Sequence, residues 1–537
     1  MTLDMAPVPM PNKKITFKKG INGTIYVYYT TRAYRNINGK PTSDEVAIGK
    51  KDPNTGMLIP NKKYLELFPV IQPAPSQSQD STVNLPHKIT DYGNTFALMR
   101  IAKEIGLTQI LEKSFPSTWS NILTAAFYML CESNVMMYLE DWLDVTNVPF
   151  SCRMDDRRCS EMFASISYEE RMIFFEEWVK VRQEQEYIAY DVTSISTYSS
   201  GIDIAEWGYN RDEESLPQVN LGMYFGMTSQ LPVYYTIYSG SIVDKSYLVF
   251  MLENTSRLGI NKVRFVMDCG FVTEDNVVYM AEKKYSFIAP FPSDRVEAAA
   301  IIDAQGQSIR KAANRIREFD IYGTSIDYDL YGVRMKIHIF FDPEKQNLDE
   351  KELYARVTRL SEELAKMSKA KRVTKRYTDF FAVEEDKSGI SFEIDHDKID
   401  AKLKRAGYFV FLTTDLSCKP EELLRIYRGR DAIEKNFDQL KNGLEFRRLR
   451  THINKTTEGK IFVGFLALIL RSCILSRIRV NAESKKITMN KVLMELKKIK
   501  IVTMSDMQKI LIPLTKMQRT ILATLAIPSI DLINSVS

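Results

Sequence analysis

The sequence predicts an α/β protein of several domains, and three features carry that expectation. Residues 187–195, 217–227 and 231–238 are consecutive β-rich runs, and the short stretch Thr228-Ser229-Gln230 between the last two reads as a hairpin turn. From residue 245 to 291 the pattern then alternates as helix, short apolar strand, helix, strand. Finally, 537 residues of which 45% are apolar exceed what one ordinary core requires.

The elements follow in chain order. Residues 1–70 read as a small basic β-rich domain. Thr24 to Arg35 and Glu45 to Gly49 are strand-like around an Asn38-Gly39 turn, with Lys13, Lys14, Lys18, Lys19, Arg32, Arg35, Lys40, Lys50 and Lys51 interleaved with tyrosines. Residues 71–90 read as a flexible linker, centred on the Pro/Ser/Gln-rich run 72–81. Residues 91–186 are helical in pattern, as in Phe96-Ala97-Leu98-Met99-Arg100-Ile101-Ala102. Residues 187–292 form the first part of an α/β core, and residues 407–480 return to it through the strand-like Gly407-Tyr408-Phe409-Val410-Phe411-Leu412-Thr413. The intervening residues 293–406 are far too many for a simple connection and are expected to be an α/β insertion domain. They hold a strand at 333–341, a charged helix over 350–372 and alternating runs at 379–384 and 390–394. Residues 481–537 read as a C-terminal helical segment.

The most informative stretch is Tyr427-Arg428-Gly429-Arg430-Asp431-Ala432-Ile433-Glu434-Lys435-Asn436-Phe437-Asp438-Gln439-Leu440-Lys441. Read as one helix at about 100° per residue, it brings Tyr427, Arg430, Glu434 and Lys441 within roughly 60° of one another. Ile426, Ile433, Phe437, Leu440 and Leu444 form the adjoining apolar stripe. Pro420 followed by Glu421 and Glu422 suits the helix start, and Asn442-Gly443 suits its end. A carboxylate bracketed by Arg and Lys is either a solvated face of i,i+4 pairs or a metal-binding acid beside phosphate-binding cations.

Two further acids decide between these readings. Asp191 interrupts the apolar β-run 187–195, where an unpaired charge is costly. Asp268 ends the short run 262–268 and is followed by Cys269-Gly270-Phe271, with a helix expected from about Thr273, so that a helix-capping turn is the plainer role for Asp268 alone. Taken jointly, Asp-x-Thr at Asp191, Asp-x-Gly-Phe at Asp268 and Tyr-x2-Arg-x3-Glu-x6-Lys at Tyr427, Arg430, Glu434 and Lys441 resemble the DDE transposases of prokaryotic insertion sequences, the group with a Tyr-Arg-Glu-Lys signature. The resemblance covers most of residues 91–480.

The resemblance implies an RNase H-like catalytic core with a mixed insertion domain, flanked by the N-terminal β-rich domain and helical segments. It implies that Asp191, Asp268 and Glu434 are catalytic and hold two divalent cations, most plausibly Mg2+ with Mn2+ as substitute, because all-oxygen ligands suit hard ions. It further implies that Tyr427, Arg430 and Lys441, with Arg428 and Arg447 beside them, bind DNA. The expected activity is binding of insertion-sequence ends, strand cleavage and strand transfer into target DNA. An RNase H-like nuclease, or a catalytically idle DNA-binding derivative, is the alternative. The expected partner is double-stranded DNA, with a homodimer assembled on it. The basic N-terminal sheet suits DNA-end binding first, and a dimer contact or a structural role next.

Composition narrows the remaining classes. The net charge of +5 is only mildly basic and does not by itself establish nucleic-acid binding, but Arg425, Arg428, Arg430, Lys435, Lys441, Arg447, Arg448, Arg450 and Lys455 cluster on and after the Glu434 helix. Six cysteines without a CxxC pair read as reduced thiols of a cytoplasmic, nucleoid-associated protein, and four histidines give a zinc site little support. The opening residues lack a secretory pattern. The apolar run 461–470 is too short to span a bilayer and reads as a buried helix, so no membrane partner is expected.

Overall fold

The computed structural model describes residues 7–12, 14–35, 40–68, 86–150, 152–182, 184, 186–260, 263–367, 373–386, 389–480 and 487–536. The chain divides into two units, Met1–Val83 and Asn84–Ser537. The Asn38-Gly39 turn, the linker run 72–81 and the end of the charged helix expected to reach residue 372 lie outside the described residues.

In the first unit, β1 (Ile15–Lys19), β2 (Ile25–Arg35), β3 (Pro41–Lys51) and β4 (Leu58–Pro60) form an antiparallel sheet in chain order. Its core is small: Val27, Ile48 and Leu58 are fully buried, with Tyr29 and Tyr64 packed against them. A short helix α1 (Lys62–Leu67) starts at Asn61, whose side chain accepts from Tyr64 N and donates to Ala47 O at 2.8 Å, tying the helix to the sheet. The Phe68 ring meets Tyr29 at 5.0 Å and Tyr64 at 4.9 Å.

The second unit opens with a strand, β5 (Pro86–Asp91), inside the span expected as linker. Helices from α2 (Gly93–Glu104) to α7 (Tyr168–Arg182) follow. Next come β6 (Tyr187–Ser196), β7 (Gln218–Gly226), β8 (Pro232–Ser239), α8 (Asp244–Arg257), β9 (Arg264–Val266), α9 (Glu274–Glu282) and β10 (Ser286–Phe291). These strands lie side by side in the order β10-β9-β6-β7-β8, with β6, β7 and β8 antiparallel and β9 and β10 parallel to β6. Every residue of β7 is buried, and so is every residue of β6 except Asp191, which explains their near-continuous apolar composition.

The insertion does not stand apart from this sheet. After α10 (Val296–Ile309), strands β11 (Arg315–Ile316), β12 (Ile321–Leu330) and β13 (Val333–Phe341) extend it, and among the described residues the complete sheet has nine strands in the order β11-β12-β13-β16-β10-β9-β6-β7-β8. The link is β16 (Tyr408–Thr413), which pairs antiparallel with both β10 and β13. Only α11 (Pro343–Ala365), α12 (Lys375–Thr378), the hairpin β14 (Phe381–Asp386) with β15 (Gly389–Ile394), and α13 (His396–Leu403) form a satellite, with its own core of Val357, Leu360, Leu364, Tyr377, Phe380, Phe381 and Ile399. The expected insertion domain is therefore half sheet extension and half satellite.

The expected single helix carrying the Tyr-Arg-Glu-Lys spacing is interrupted twice. It divides into α14 (Pro420–Gly429) and α15 (Asp431–Asp438), then ends in a π turn over Gln439–Gly443. Arg430 N bonds Tyr427 O at 2.9 Å and Ile433 N bonds Arg430 O at 2.9 Å, so the ladder tightens to i,i+3 around the poor helix former Gly429. The π turn then rotates Lys441 away from the phase a regular helix would give it.

The apolar run 461–470 lies within α16 (Asn454–Val480), 27 residues long and therefore long and apolar enough to cross a membrane, yet 83% of its apolar window is buried within the protein. Close helix packing accounts for this. At Gly459 an added Cβ would stand 2.1 Å from Phe163 O, and at Gly464 it would stand 2.4 Å from the Phe446 ring. The C-terminal segment is not purely helical: between α17 (Met489–Lys497) and the helices α18 (Lys516–Thr524) and α19 (Ser529–Asn534) lie β17 (Lys500–Met504) and β18 (Lys509–Leu511). The β-branched run Ile501-Val502-Thr503 pairs antiparallel with Thr90, Ile89 and Lys88 of β5 in that order, and Lys500 Nζ meets Asp91 Oδ1 at 2.6 Å.

Candidate active site

Parallel pairing of β6 with β9 places Ala189 opposite Val266. Two positions farther along each chain stand Asp191 and Asp268, on neighbouring segments at the middle of the nine-stranded sheet. Asp191 is still within β6, whereas β9 has ended by Asp268, whose carboxylate caps a 3-10 turn by accepting from Cys269 N at 2.7 Å. The capping role expected for Asp268 alone is present. Asp191 Oδ1 accepts from Val192 N at 2.9 Å.

The third acid is brought in by a cation. Arg430 donates through Nη2 to Asp191 Oδ2 at 3.1 Å and through Nη1 to Glu434 Oε1 at 2.8 Å. The Arg430 and Asp191 side chains are 8% and 14% exposed while Glu434 keeps 55%, so the bridge runs from the interior to the surface. Burial raises the Asp191 carboxyl above its ordinary range, with Arg430 opposing the rise and Asp268 adding to it. Burial alone would lower Arg430, but Asp191, Tyr427, Asp268 and Glu434 together raise it, so it stays charged. The Tyr427 phenol is pushed up to about 12, chiefly by burial, and its ring packs on Phe411 at 4.5 Å.

The remaining residues of the expected DNA-binding set divide by exposure. Lys441 is buried, donates to Asp212 Oδ2 at 2.6 Å, and is lowered by that burial with Asp212 partly restoring it. Arg428 and Arg447 are exposed; the first lies over the Phe319 ring at 4.3 Å and the second donates to Asn442 Oδ1 at 2.7 Å. Hence Tyr427, Arg430, Glu434 and Lys441 do not form one solvent-facing stripe. The helix breaks turn Arg430 and Lys441 inward, where acids from β6 and from the 197–217 loop supply counter-charges.

That loop is the part missed in the sequence. Asp212 takes Lys441 and Glu214 takes Arg448 at 2.8 Å, while Asn210 Nδ2 donates to Ser196 Oγ and Arg211 N to Ser194 Oγ, anchoring the loop over β6. The charged run Arg211-Asp212-Glu213-Glu214 was the available signal. Beside it opens a groove of about 540 Å3 lined by Tyr198, Lys441, Asn442, Glu445, Arg447, Arg448, Leu449 and Arg450. Much of the basic cluster is likewise paired, as with Arg425–Glu318, Lys435–Asp431 and Arg450–Glu445.

Three carboxylates with no nitrogen or sulfur donor among them suit a hard divalent cation, and a guanidinium already stands as a cation between two of them. Among the described residues no three His, Cys, Asp or Glu side chains are drawn together closely enough to hold a metal ion. The chemistry of the three donors suits such an ion, while in this arrangement Asp191 and Glu434 have Arg430 between them rather than belonging to a cluster of three acids.

No curated protein matches this chain. Among solved structures, a cryo-EM structure of the piggyBac transposase synaptic complex with hairpin DNA is similar at 11% identity and a TM-score of 0.31, over 70% of this chain and 68% of that one. The family described as the transposase DDE domain matches residues 182–470, from the end of α7 into α16 and across Asp191, Asp268 and Glu434. The chain belongs to that family: it is a DDE-type transposase, an enzyme of DNA transposition whose family works with divalent metal ions.

Proposed function

We propose that this transposase is of the prokaryotic insertion-sequence group with the Tyr-Arg-Glu-Lys signature, and that it cleaves the ends of its element and joins them to target DNA. The observation that carries this reading is the parallel register of β6 and β9, which brings Asp191 and Asp268 side by side, with Glu434 tied to Asp191 through Arg430. Support for an RNase H-like core comes from the order β8-β7-β6-β9-β10, three antiparallel strands followed by two parallel ones.

Asp191, Asp268 and Glu434 would hold two Mg2+ ions. When bound, such ions supply an activated hydroxyl nucleophile and stabilise the leaving 3′-oxygen. The chain's own part is positional. Arg428 and Arg447 present charge to the DNA backbone at the surface, Tyr427 fixes one side of the Arg430 guanidinium, and Lys441 reaches a phosphate when it exchanges Asp212 for DNA. The basic sheet of the first unit engages element ends, and two copies assemble on double-stranded DNA in the bacterial cytoplasm, at the nucleoid.

The test is cleavage and joining by the full-length protein in Mg2+. Asp191→Asn, Asp268→Asn and Glu434→Gln are each expected to lower cleavage by at least about 10^3-fold, roughly 4 kcal/mol in the barrier, while retaining DNA binding. Near-normal cleavage by any one of them would remove that residue from the site. Supplying a pre-cut 3′-OH end with a target plasmid then separates transposase from nuclease, since a pure nuclease forms no joined product.

A further inference from the structure

We propose that Arg430 is a resident cation of the triad, filling the position between Asp191 and Glu434 until DNA draws it away, so that metal loading is conditional on DNA. The proposal rests on the reading of Asp191, Asp268 and Glu434 as metal ligands.

Two hydrogen bonds place the guanidinium there, to Asp191 Oδ2 at 3.1 Å and to Glu434 Oε1 at 2.8 Å. A divalent ion claiming those same oxygens would face a fixed positive charge within hydrogen-bond distance of both ligands, inside a region where water screens poorly. Each carboxylate keeps a second oxygen, but like charges held this close repel strongly, and Arg430 cannot lose its proton to relieve the repulsion. It must swing out. Leaving is costly, because a guanidinium taken from two carboxylates needs another anion or bulk water.

The surroundings indicate what receives it. Tyr427 OH lies 3.5 Å from Nη1 and is a weak neutral partner. Nε of Arg430 is buried and makes no hydrogen bond among the described residues, leaving one donor of the fork for an incoming acceptor. A DNA phosphate offers the forked acceptor geometry that guanidinium suits. Phosphate would thus relieve the carboxylates of their internal partner at the moment the scissile strand arrives. In free protein the same bridge holds Glu434, whose side chain is otherwise half exposed, beside Asp191. By linkage, metal and DNA then strengthen each other's binding by the same factor.

The experiment measures Mn2+ binding by paramagnetic resonance of the free ion, using the full chain with and without a short duplex DNA. Only sites lost in Asp191→Asn are counted, which removes ions bound to the DNA alone. In the wild type, duplex is expected to tighten these sites by about tenfold or more, within the usual 5- to 150-fold range of coupling. In Arg430→Gln, the DNA-free sites are expected to tighten toward the DNA-bound value and the further gain on adding duplex to vanish. Arg430→Lys, which keeps the charge but not the fork, is expected to lie between.

Equal Mn2+ affinity of the wild type with and without duplex overturns the proposal, and so does an Arg430→Gln variant whose coupling matches the wild type. If Arg430→Gln does not fold, the wild-type and Arg430→Lys measurements decide alone. A different outcome, in which Asp191→Asn removes no Mn2+ site even with duplex present, defeats the metal-site reading itself rather than the role of Arg430.

Discussion

The two units of this transposase differ most in how they hold charge. Residues 1–83 contain 11 Lys and Arg against 6 Asp and Glu, a formal +5, whereas the whole chain counts 73 against 68. The entire excess therefore sits in the small β-rich unit, and the unit bearing Asp191, Asp268 and Glu434 is balanced. In the larger unit the cations nearest the acids are already engaged, Arg430 with Asp191 and Glu434, Lys441 with Asp212, and Arg448 with Glu214. The net field toward a polyanion comes from one body, whereas in the other the cations beside the acids are already paired.

The largest expected effect comes from removing the first unit. A chain beginning at Asn84 should lose about 4.5 from the slope of log affinity against log salt, since five net charges contribute roughly 0.9 each, and its affinity for DNA at low salt should fall on the order of 10^2-fold. Titrations at several salt concentrations measure both quantities, and an unchanged slope would erase the contrast between the units.

A smaller effect separates the units by stability. Among the described residues the first unit's core has three fully buried apolar side chains, while the second has a large core that includes α16, so calorimetry should resolve two transitions with the first unit melting earlier. Gly459→Ala forces a Cβ toward Phe163 O and should lower only the later transition, by about 2 kcal/mol. A matching shift in the earlier transition would mean that the two units unfold together.

The smallest effect sharpens the comparison from inside the larger unit. Asp212→Asn leaves Lys441 without its ionic partner and should strengthen DNA binding about threefold to tenfold, raising the salt slope by about one. Weaker binding would instead identify Asp212 as a support for Lys441 rather than a stand-in for phosphate.

What was legible in the chain was whatever local pattern controls. Runs 187–195, 217–227 and 231–238 are β-branched and apolar and became β6, β7 and β8; the order of three antiparallel strands, helix, strand, helix, strand was readable from the same patterning. Asp191 stood out as the one charge in a buried strand. Other features depended on distant partners. Nothing near Ile321 says that β12 joins the same sheet as β6, because pairing through β16 decides it. The inward turn of Lys441 depends on a π turn, and its partner Asp212 lies 229 positions away. The Tyr-Arg-Glu-Lys spacing singles out four residues, yet the break at Gly429 determines what Arg430 touches in the folded chain.

The pairing of β17 with β5 bears on how this enzyme is made. Lys500 and Asp91 are 409 positions apart, so a ribosome must finish nearly all of the polypeptide before the first strand of the larger unit finds its partner. A nascent chain that already contains all three acids still lacks the strand that pairs along β5, leaving most of its backbone donors and acceptors exposed. Products of interrupted translation would therefore present an open edge to proteases and chaperones instead of a closed nuclease-competent body. Timing of synthesis, set by the placement of one short strand, confines the complete fold to polypeptides read through to β17.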